Sequence, residues 1–303
     1  MAFDLFGPTV EILVGDALET LRTLPARSVQ TCVTSPPYFG LRDYGHTGQV
    51  GLEETPELYV ARLVEIFREV RRVLRDDGTL WLNLGDSWAR TGGTDRVKNS
   101  GNTGYTLRTI DLIPNRKQRA PETLSDKNLI GIPWRVAFAL QCDGWILRQD
   151  IIWAKPNPMP ESVTDRCTKA HEYIFFLSKR KNYFFDARAI KEPAVWAGQR
   201  EDKPQGSFTG KYGAGTFRAI RETRNKRSVW TVSTKPYKGA HFATFPPDLI
   251  EPCVLAGAPR GGIVLDPFAG SGTTGMVAKR HGREAILIEL NPDYVPLIRE
   301  RLR

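Results

Sequence analysis

Residues 262–275 read GIVLDPFAGSGTTG. The opening run is apolar, is rich in strand formers and ends on Asp266. PFAGSG breaks any regular pattern, and helical spacing resumes near Thr273. Gly270 and Gly272 let the backbone turn tightly and approach a ligand, and the helix start offers unbonded N–H groups to it. Strand, glycine turn and helix in that order is half of a βαβ unit and points to an α/β sheet. The turn has no P-loop lysine, so nucleotide hydrolysis is disfavoured. Thr274 and Gly275 are read as replacing the third step of a dinucleotide fingerprint, which leaves a general nucleotide cradle or a plain βα connection.

The next strand, EAILIE at 284–289, ends on Glu289, 23 residues after Asp266. An acid at that tip can accept hydrogen bonds from ribose hydroxyls. Alone it could equally cap a helix or be a surface charge. With the turn it supports a ribose-bearing cofactor, one without a 2′-phosphate because like charges would meet.

Further strands are expected at 9–14, 29–34, 79–84, 146–153 and 172–178, with helices at 56–75, 132–142, 246–257, 272–281 and 292–302. The 56–75 helix opens on Pro56, and its apolar set includes Leu58, Ala61, Val64, Val70 and Leu74. The alternation predicts a mostly parallel, seven-stranded sheet with helices on both faces and ligands at the carboxyl ends of the strands. The strand at 29–34 runs into VTSPPYFG (33–40), where two prolines stop both sheet and helix. His171 is expected to order the start of the strand at 172–178.

The chain has 303 residues, a net charge of +9 and a 41% hydrophobic content, enough for a sizeable core. No apolar run is long enough to span a membrane, and the first residues lack a signal-peptide pattern. Cys32, Cys142, Cys167 and Cys253 form no CxxC, so neither metal site nor disulfide framework is suggested; they read as buried free thiols in a reducing cytoplasm. The positive charge is concentrated. Residues 187–240 hold twelve lysines and arginines against four acids, and 90–128 hold eight against four. Solubilising loops would be one explanation; confinement to two Gly- and polar-rich segments is also the footprint of a polyanion-binding face.

Three stretches coincide: TSPPY at 34–38, DPFAGSGTT at 266–274, and Glu289. Together they resemble the S-adenosylmethionine-dependent DNA amino-methyltransferases, which modify cytosine N4 or adenine N6. TSPPY first and FAGSG last resembles the β group. Supporting stretches are VGDAL (14–18), GTLWLNLGDS (78–87), IIWAKPNPMP (151–160), TKAHEYIFFLSK (168–179) and HFATFPPDLIEP (241–252). The resemblance implies a circularly permuted, Rossmann-like methyltransferase fold. It implies a catalytic part at 1–186 with a basic loop at 90–128, an inserted DNA-recognition region at 187–240, and a cofactor-binding part at 241–303.

It also implies roles. Ser35, Pro36, Pro37 and Tyr38 would form the catalytic pocket. Thr34, Asp266, Pro267, Phe268, Gly270, Gly272, Thr273 and Thr274 would line the S-adenosyl-L-methionine pocket. Glu289 would hold the ribose and Asp16 the adenine amino group. His241, Phe242 and Pro246 would flank the methionine end. Arg218, Arg221, Arg224, Lys226 and Arg227 would grip DNA, with Trp196, Tyr212, Phe217 and Trp230 either interleaved between them or forming a small local core. KPNPMP (155–160) reads as a stiff loop beside the flipped base or a plain connector. Implied partners are double-stranded DNA, a cognate restriction endonuclease and a second copy in a homodimer; the implied setting is cytoplasmic, prokaryotic or phage.

The pocket chemistry fits. An exocyclic base amine is a poor nucleophile because its lone pair is delocalised. Hydrogen bonds to Ser35 Oγ and the Pro36 carbonyl would favour a pyramidal nitrogen, and positioning and electrostatics would do the rest. Tyr38 offers a stacking face for a swung-out base; Phe39 does the same or packs inward. Cys32 lies mid-strand without a Pro-Cys context, so a covalent cytosine-C5 mechanism is not expected. A serine rather than a carboxylate at position 35 favours cytosine N4, and adenine N6 stays open. Two other classes remain: an inactive DNA-binding module, and a methyltransferase for RNA or protein glutamine.

Overall fold

The computed structural model describes residues 7–46, 48–89, 124–194, 222–234 and 245–303. The first half runs β1 (Val10–Val14), α1 (Ala17–Thr23), β2 (Val29–Thr34), α2 (Pro56–Val73), β3 (Leu74–Leu84), α3 (Ile132–Cys142), β4 (Ile146–Ala154) and β5 (His171–Ser178). Then come β6 (Glu192–Pro193), β7 (Thr223–Arg224), β8 (Val229–Thr231), α4 (Pro247–Gly257), β9 (Ile263–Asp266), α5 (Thr273–Arg280), β10 (Glu284–Glu289), a 3-10 turn and α6 (Val295–Arg301).

Among the described residues eight strands form one sheet in the order β1-β10-β9-β2-β3-β5-β4-β8, and β6 pairs with β7 apart from it. All seven expected strands are present; the eighth, β8, is three residues lying parallel to β4 at the edge. The pairs β1–β10, β10–β9, β9–β2 and β2–β3 are parallel, whereas β5 runs antiparallel to both β3 and β4. The permutation is visible in this order. β9, late in the chain, lies at the sheet's centre beside β2, and the path leaves it through α5 to β10 on one side while β2 leads to β3 on the other. A doubly wound sheet opens its crevice at such a reversal.

Helices cover both faces. Side chains of α1, α2 and α3 join one core with Leu80, Leu82, Leu84, Phe175 and Leu177. Those of α4, α5 and α6 join the other with Trp81, Ile151, Trp153, Ile174 and Phe176. Among the described residues no helix is long and apolar enough to cross a membrane.

The α2 boundaries follow its ends. Thr55 Oγ1 accepts from the Leu58 N–H (3.2 Å) and Pro56 opens the first turn. Its buried face corrects the expected one in part: Val70 and Leu74 are buried and Val64 packs on the core, but Leu58 is 53% exposed and Ala61 is exposed, while Tyr59, Leu63, Ile66, Phe67 and Val73 also point inward. The helix carries two overlapping apolar stripes, and packing on α3 and the sheet selects the one with the larger side chains. Helix α1 was not expected from the sequence. It is capped by Asp16, whose Oδ1 accepts from the Glu19 N–H (3.0 Å).

The α4–sheet contact depends on one missing side chain. A Cβ on Gly257 would fall 2.6 Å from Thr31 Oγ1 and 2.9 Å from Trp81 Nε1. Thr31 is held by Thr79, so relief would need a helix shift. Gly257→Ala is expected to cost about 1–3 kcal/mol by overpacking, read as a lower urea midpoint; an unchanged midpoint would show that α4 slides freely.

Candidate active site

The register puts the sequence motifs on one edge. Val14 pairs with Glu289, Leu287 with Asp266, and Leu265 with Cys32. The carboxyl ends of β1, β10, β9 and β2 therefore lie side by side, carrying Asp16, Glu289, the Gly-rich turn, and Thr34 with Ser35.

Asp266 is the knot of this edge. It is fully buried and accepts from Thr34 Oγ1 (2.6 Å), Thr274 Oγ1 (2.6 Å) and the Phe268 N–H (3.1 Å). Burial raises its pKa, and these three bonds oppose the rise. It thus joins β2 to the turn rather than facing the crevice. Gly270 and Gly272 have φ of 53° and 76°, in the left-handed region that glycine tolerates. Gly275 supplies the step the sequence reading did not credit. With Gly270 and Gly272 it completes the GxGxxG spacing, and a Cβ there would fall 2.7 Å from Leu287 Cδ1, so it sets the close helix–strand packing. Thr273 and Thr274 are buried in the first turn of α5, Pro267 is buried and Phe268 half-buried.

Glu289 is 8% exposed. One oxygen accepts from the Gly270 N–H (2.7 Å), the other from the Asn291 N–H (2.9 Å). Its carboxylate keeps lone pairs for further donors, and burial holds its pKa above the ordinary glutamate value. Asp16 is both the α1 cap and a partner of Arg62 (3.3 Å).

After β2 the TSPPY turn is braced from behind. Tyr59 OH donates to the Pro37 carbonyl (2.9 Å), and Phe39 is buried against the Tyr59 ring, so it packs inward. A Cβ on Gly51 would meet the Tyr38 carbonyl at 2.9 Å, and one on Gly85 would sit 2.5 Å from Tyr38 Cε2. One side of the Tyr38 ring therefore lies on the Gly85 backbone.

Four polar residues here were missed by the sequence reading. Tyr38 OH lies 2.6 Å from Glu172 Oε2 and 3.1 Å from Asn83 Oδ1, and Ser35 Oγ lies 3.4 Å from Tyr38 OH. Lys155 pairs with the other Glu172 oxygen. Asp86 Oδ1 accepts from the Gly131 and Ile132 N–H groups (both 3.0 Å) and so caps α3. The available signals were Asn83 in an apolar strand and a Glu beginning EYIFFLS, but neither names its partner. KPNPMP thereby adjoins the pocket through Lys155. His171 starts β5 as expected, edge-on to Tyr173 (5.3 Å).

A family model described as DNA methylase matches residues 29–300. The chain belongs to the N6/N4 DNA methylase family. It is 48% identical to the Type II methyltransferase M.SmaI of Serratia marcescens over 99% of this chain and 96% of that one. To M.Cfr9I of Citrobacter freundii it is 49% identical, over 99% and 89%. A putative DNA modification methylase of Thermus thermophilus, solved with S-adenosyl-L-methionine, superposes with a TM-score of 0.60 at 25% identity, over 97% of this chain and 93% of that one. The PvuII DNA methyltransferase (cytosine-N4-specific) shares the fold, with a TM-score of 0.65 at 20% identity over 98% and 89%.

The family is S-adenosylmethionine-dependent, and the donor set of this methylase fits that cofactor. A carboxylate at a strand tip suits a ribose diol, and the glycine turn lets backbone N–H groups approach. The acid at the β10 tip disfavours a 2′-phosphate on that ribose, because like charges would meet.

The methylase's other expected site residues are placed less simply. Arg224 and Arg227 both bond Glu192 Oε1 (2.8 and 2.7 Å), so one acid already offsets part of their charge. Lys226 lies over the Trp230 ring (5.0 Å), and Trp230 is buried in the second core of the main sheet rather than in a small local one. Pro246 is buried and caps α4. His241, Phe242, Arg218, Arg221, Trp196, Tyr212 and Phe217 lie outside the described residues. Cys32 is fully buried and burial pushes its thiol well up, as suits a core residue. Cys253 is also buried, but Cys142 and Cys167 are exposed, which corrects the expectation for those two.

Proposed function

We propose that this methylase transfers a methyl group from S-adenosylmethionine to the exocyclic N4 amine of cytosine in duplex DNA by direct, non-covalent attack. The carrying observation is Ser35, an uncharged hydroxyl at the tip of β2 within hydrogen-bond reach of Tyr38. The cytosine edge shows an amine beside the N3 acceptor, which a carboxylate would repel and a hydroxyl tolerates. The PvuII relative supports the reading by its name and shared fold.

When bound, the cofactor supplies an electrophilic methyl group on a sulfonium. The protein's part is placement. Ser35 Oγ and the Pro36 carbonyl accept from the amine and orient its lone pair, and the prolines hold that backbone rigid. The exposed side of Tyr38 stacks on the swung-out base. Glu289 takes the ribose hydroxyls, Phe268 packs beside the adenosine, and Asp16 accepts from the adenine amine. His241, Phe242 and Pro246 flank the methionine end.

In this reading residues 1–186 are the catalytic part, 187–240 choose the target and 241–303 complete the cofactor pocket. Arg218, Arg221 and Lys226 grip phosphates, aided by Arg224 and Arg227 to the extent that Glu192 releases them. The reading carries a companion restriction endonuclease, since M.SmaI and M.Cfr9I are named Type II methyltransferases. It also carries a homodimer and a cytoplasmic, prokaryotic or phage setting. The test is nucleoside mass spectrometry of DNA treated with the pure protein and cofactor. N4-methylcytosine is expected; N6-methyladenine alone would replace cytosine by adenine as the target.

A further inference from the structure

Tyr38 has one phenolic proton and, among the described residues, three polar neighbours of its hydroxyl. Glu172 Oε2 is the nearest at 2.6 Å, Asn83 Oδ1 lies at 3.1 Å and Ser35 Oγ at 3.4 Å. A short contact to a carboxylate outcompetes a longer one to an amide. Burial and the charge of Glu172 raise the phenol's pKa well above its usual value, so it keeps the proton and must place it. Asn83 Nδ2 also donates to Glu172 Oε2 (3.3 Å) and to the Tyr173 carbonyl (3.1 Å), which fixes its amide orientation. Lys155 occupies the other Glu172 oxygen, and both side chains of that pair are more than four-fifths buried.

The polarity of the chain follows. With its proton committed to Glu172, Tyr38 presents only lone pairs to Ser35. The Ser35 hydroxyl then donates to Tyr38 across the 3.4 Å contact, and the lone pairs of Ser35 are left for the pocket. A group that must accept from a base amine needs that orientation. Were the phenol free to donate to Ser35, the serine proton would turn outward and meet the N–H of the amine.

We infer that Glu172, neutralised by Lys155, is a positioning residue that acts through Tyr38 to hold Ser35 as a hydrogen-bond acceptor for the target amine. The inference rests on the proposed role of Ser35 and applies to either base, since both cytosine and adenine present an amine.

The test is a double-mutant cycle in the full-length protein, by single-turnover transfer of radiolabelled methyl groups to DNA. Glu172→Gln offers an amide that can donate as well as accept, so Tyr38 is no longer committed. The expected loss in the transfer rate is about 10-fold, with the cofactor Kd and DNA Kd unchanged. In a Ser35→Ala background, Glu172→Gln should add no loss beyond about twofold, because the group it acts through is gone. Tyr38→Phe should likewise lower the rate in the Ser35 background and not in the Ser35→Ala background. Losses that multiply across the cycle, or a wild-type rate in a folded Glu172→Gln variant, would overturn the inference. If Glu172→Gln fails to fold, Tyr38→Phe carries the cycle alone. A wild-type protein that methylates no base would refute the function itself, a result distinct from either outcome of the cycle.

Discussion

Asp266→Ala is expected to lower stability by about 3 kcal/mol and to abolish cofactor binding. Asp266 accepts from two buried hydroxyls and one backbone N–H. Each buried donor left without a partner costs about 1–3 kcal/mol. The carboxylate is itself costly to bury, as its raised pKa records, so removing it recovers part of that sum. Thermal midpoints move about 2–4 °C per kcal/mol in domains of some 150–250 residues, so a fall of about 6–12 °C is expected. The functional loss follows from the same bonds. Asp266 ties Thr34 at the end of β2 to Thr274 at the start of α5, and the glycine turn is held between them. Thermal denaturation with and without cofactor reads both effects. A variant with an unshifted midpoint would show that the turn does not depend on this carboxylate. Asp266→Asn, which retains one acceptor oxygen, should fall between.

Glu289→Ala is expected to weaken cofactor binding by about 100-fold with a smaller effect on stability. Two ribose hydroxyls donating to a carboxylate contribute about 1.5 kcal/mol or more each, and about 1.4 kcal/mol is a factor of ten in Kd. The Gly270 N–H, which donates to Glu289 at 2.7 Å, also loses its partner, so the turn loosens as well. Calorimetric titration with the cofactor measures the change; a Kd within about threefold of wild type would remove Glu289 from the ribose site. The pH dependence has a definite sign. Burial holds the Glu289 pKa above the ordinary glutamate value. Ribose donors favour the charged form, so affinity should be full above that raised pKa and fall as pH drops through it. The inflection should be absent from Glu289→Ala.

Strands β2 and β10 were legible because parallel strands buried on both faces read as continuous apolar runs. The crevice was legible because the glycine turn and its flanking acid are local in sequence. The buried face of α2 was not. Its two apolar stripes are nearly equal in sequence, and the stripe that packs inward carries Tyr59, whose hydroxyl reaches the Pro37 carbonyl and whose ring packs on Phe39. The two exposed cysteines were misplaced for the same reason, since a small apolar residue near the end of a helix or in a loop carries no mark of which side it faces.

The residues around Tyr38 draw the line most sharply. Motif order and residue type alone determined the α/β class, the permutation, the glycine turn and the serine at position 35. They could not show that Tyr38 is bonded to a glutamate 134 residues away. That contact exists because β5 runs antiparallel between β3 and β4, setting Glu172 opposite Trp153 and its neighbour Tyr173 opposite Leu84. Strand pairing is a property of the whole sheet, and it alone turns three scattered residues, Asn83, Lys155 and Glu172, into one polar cluster behind Ser35.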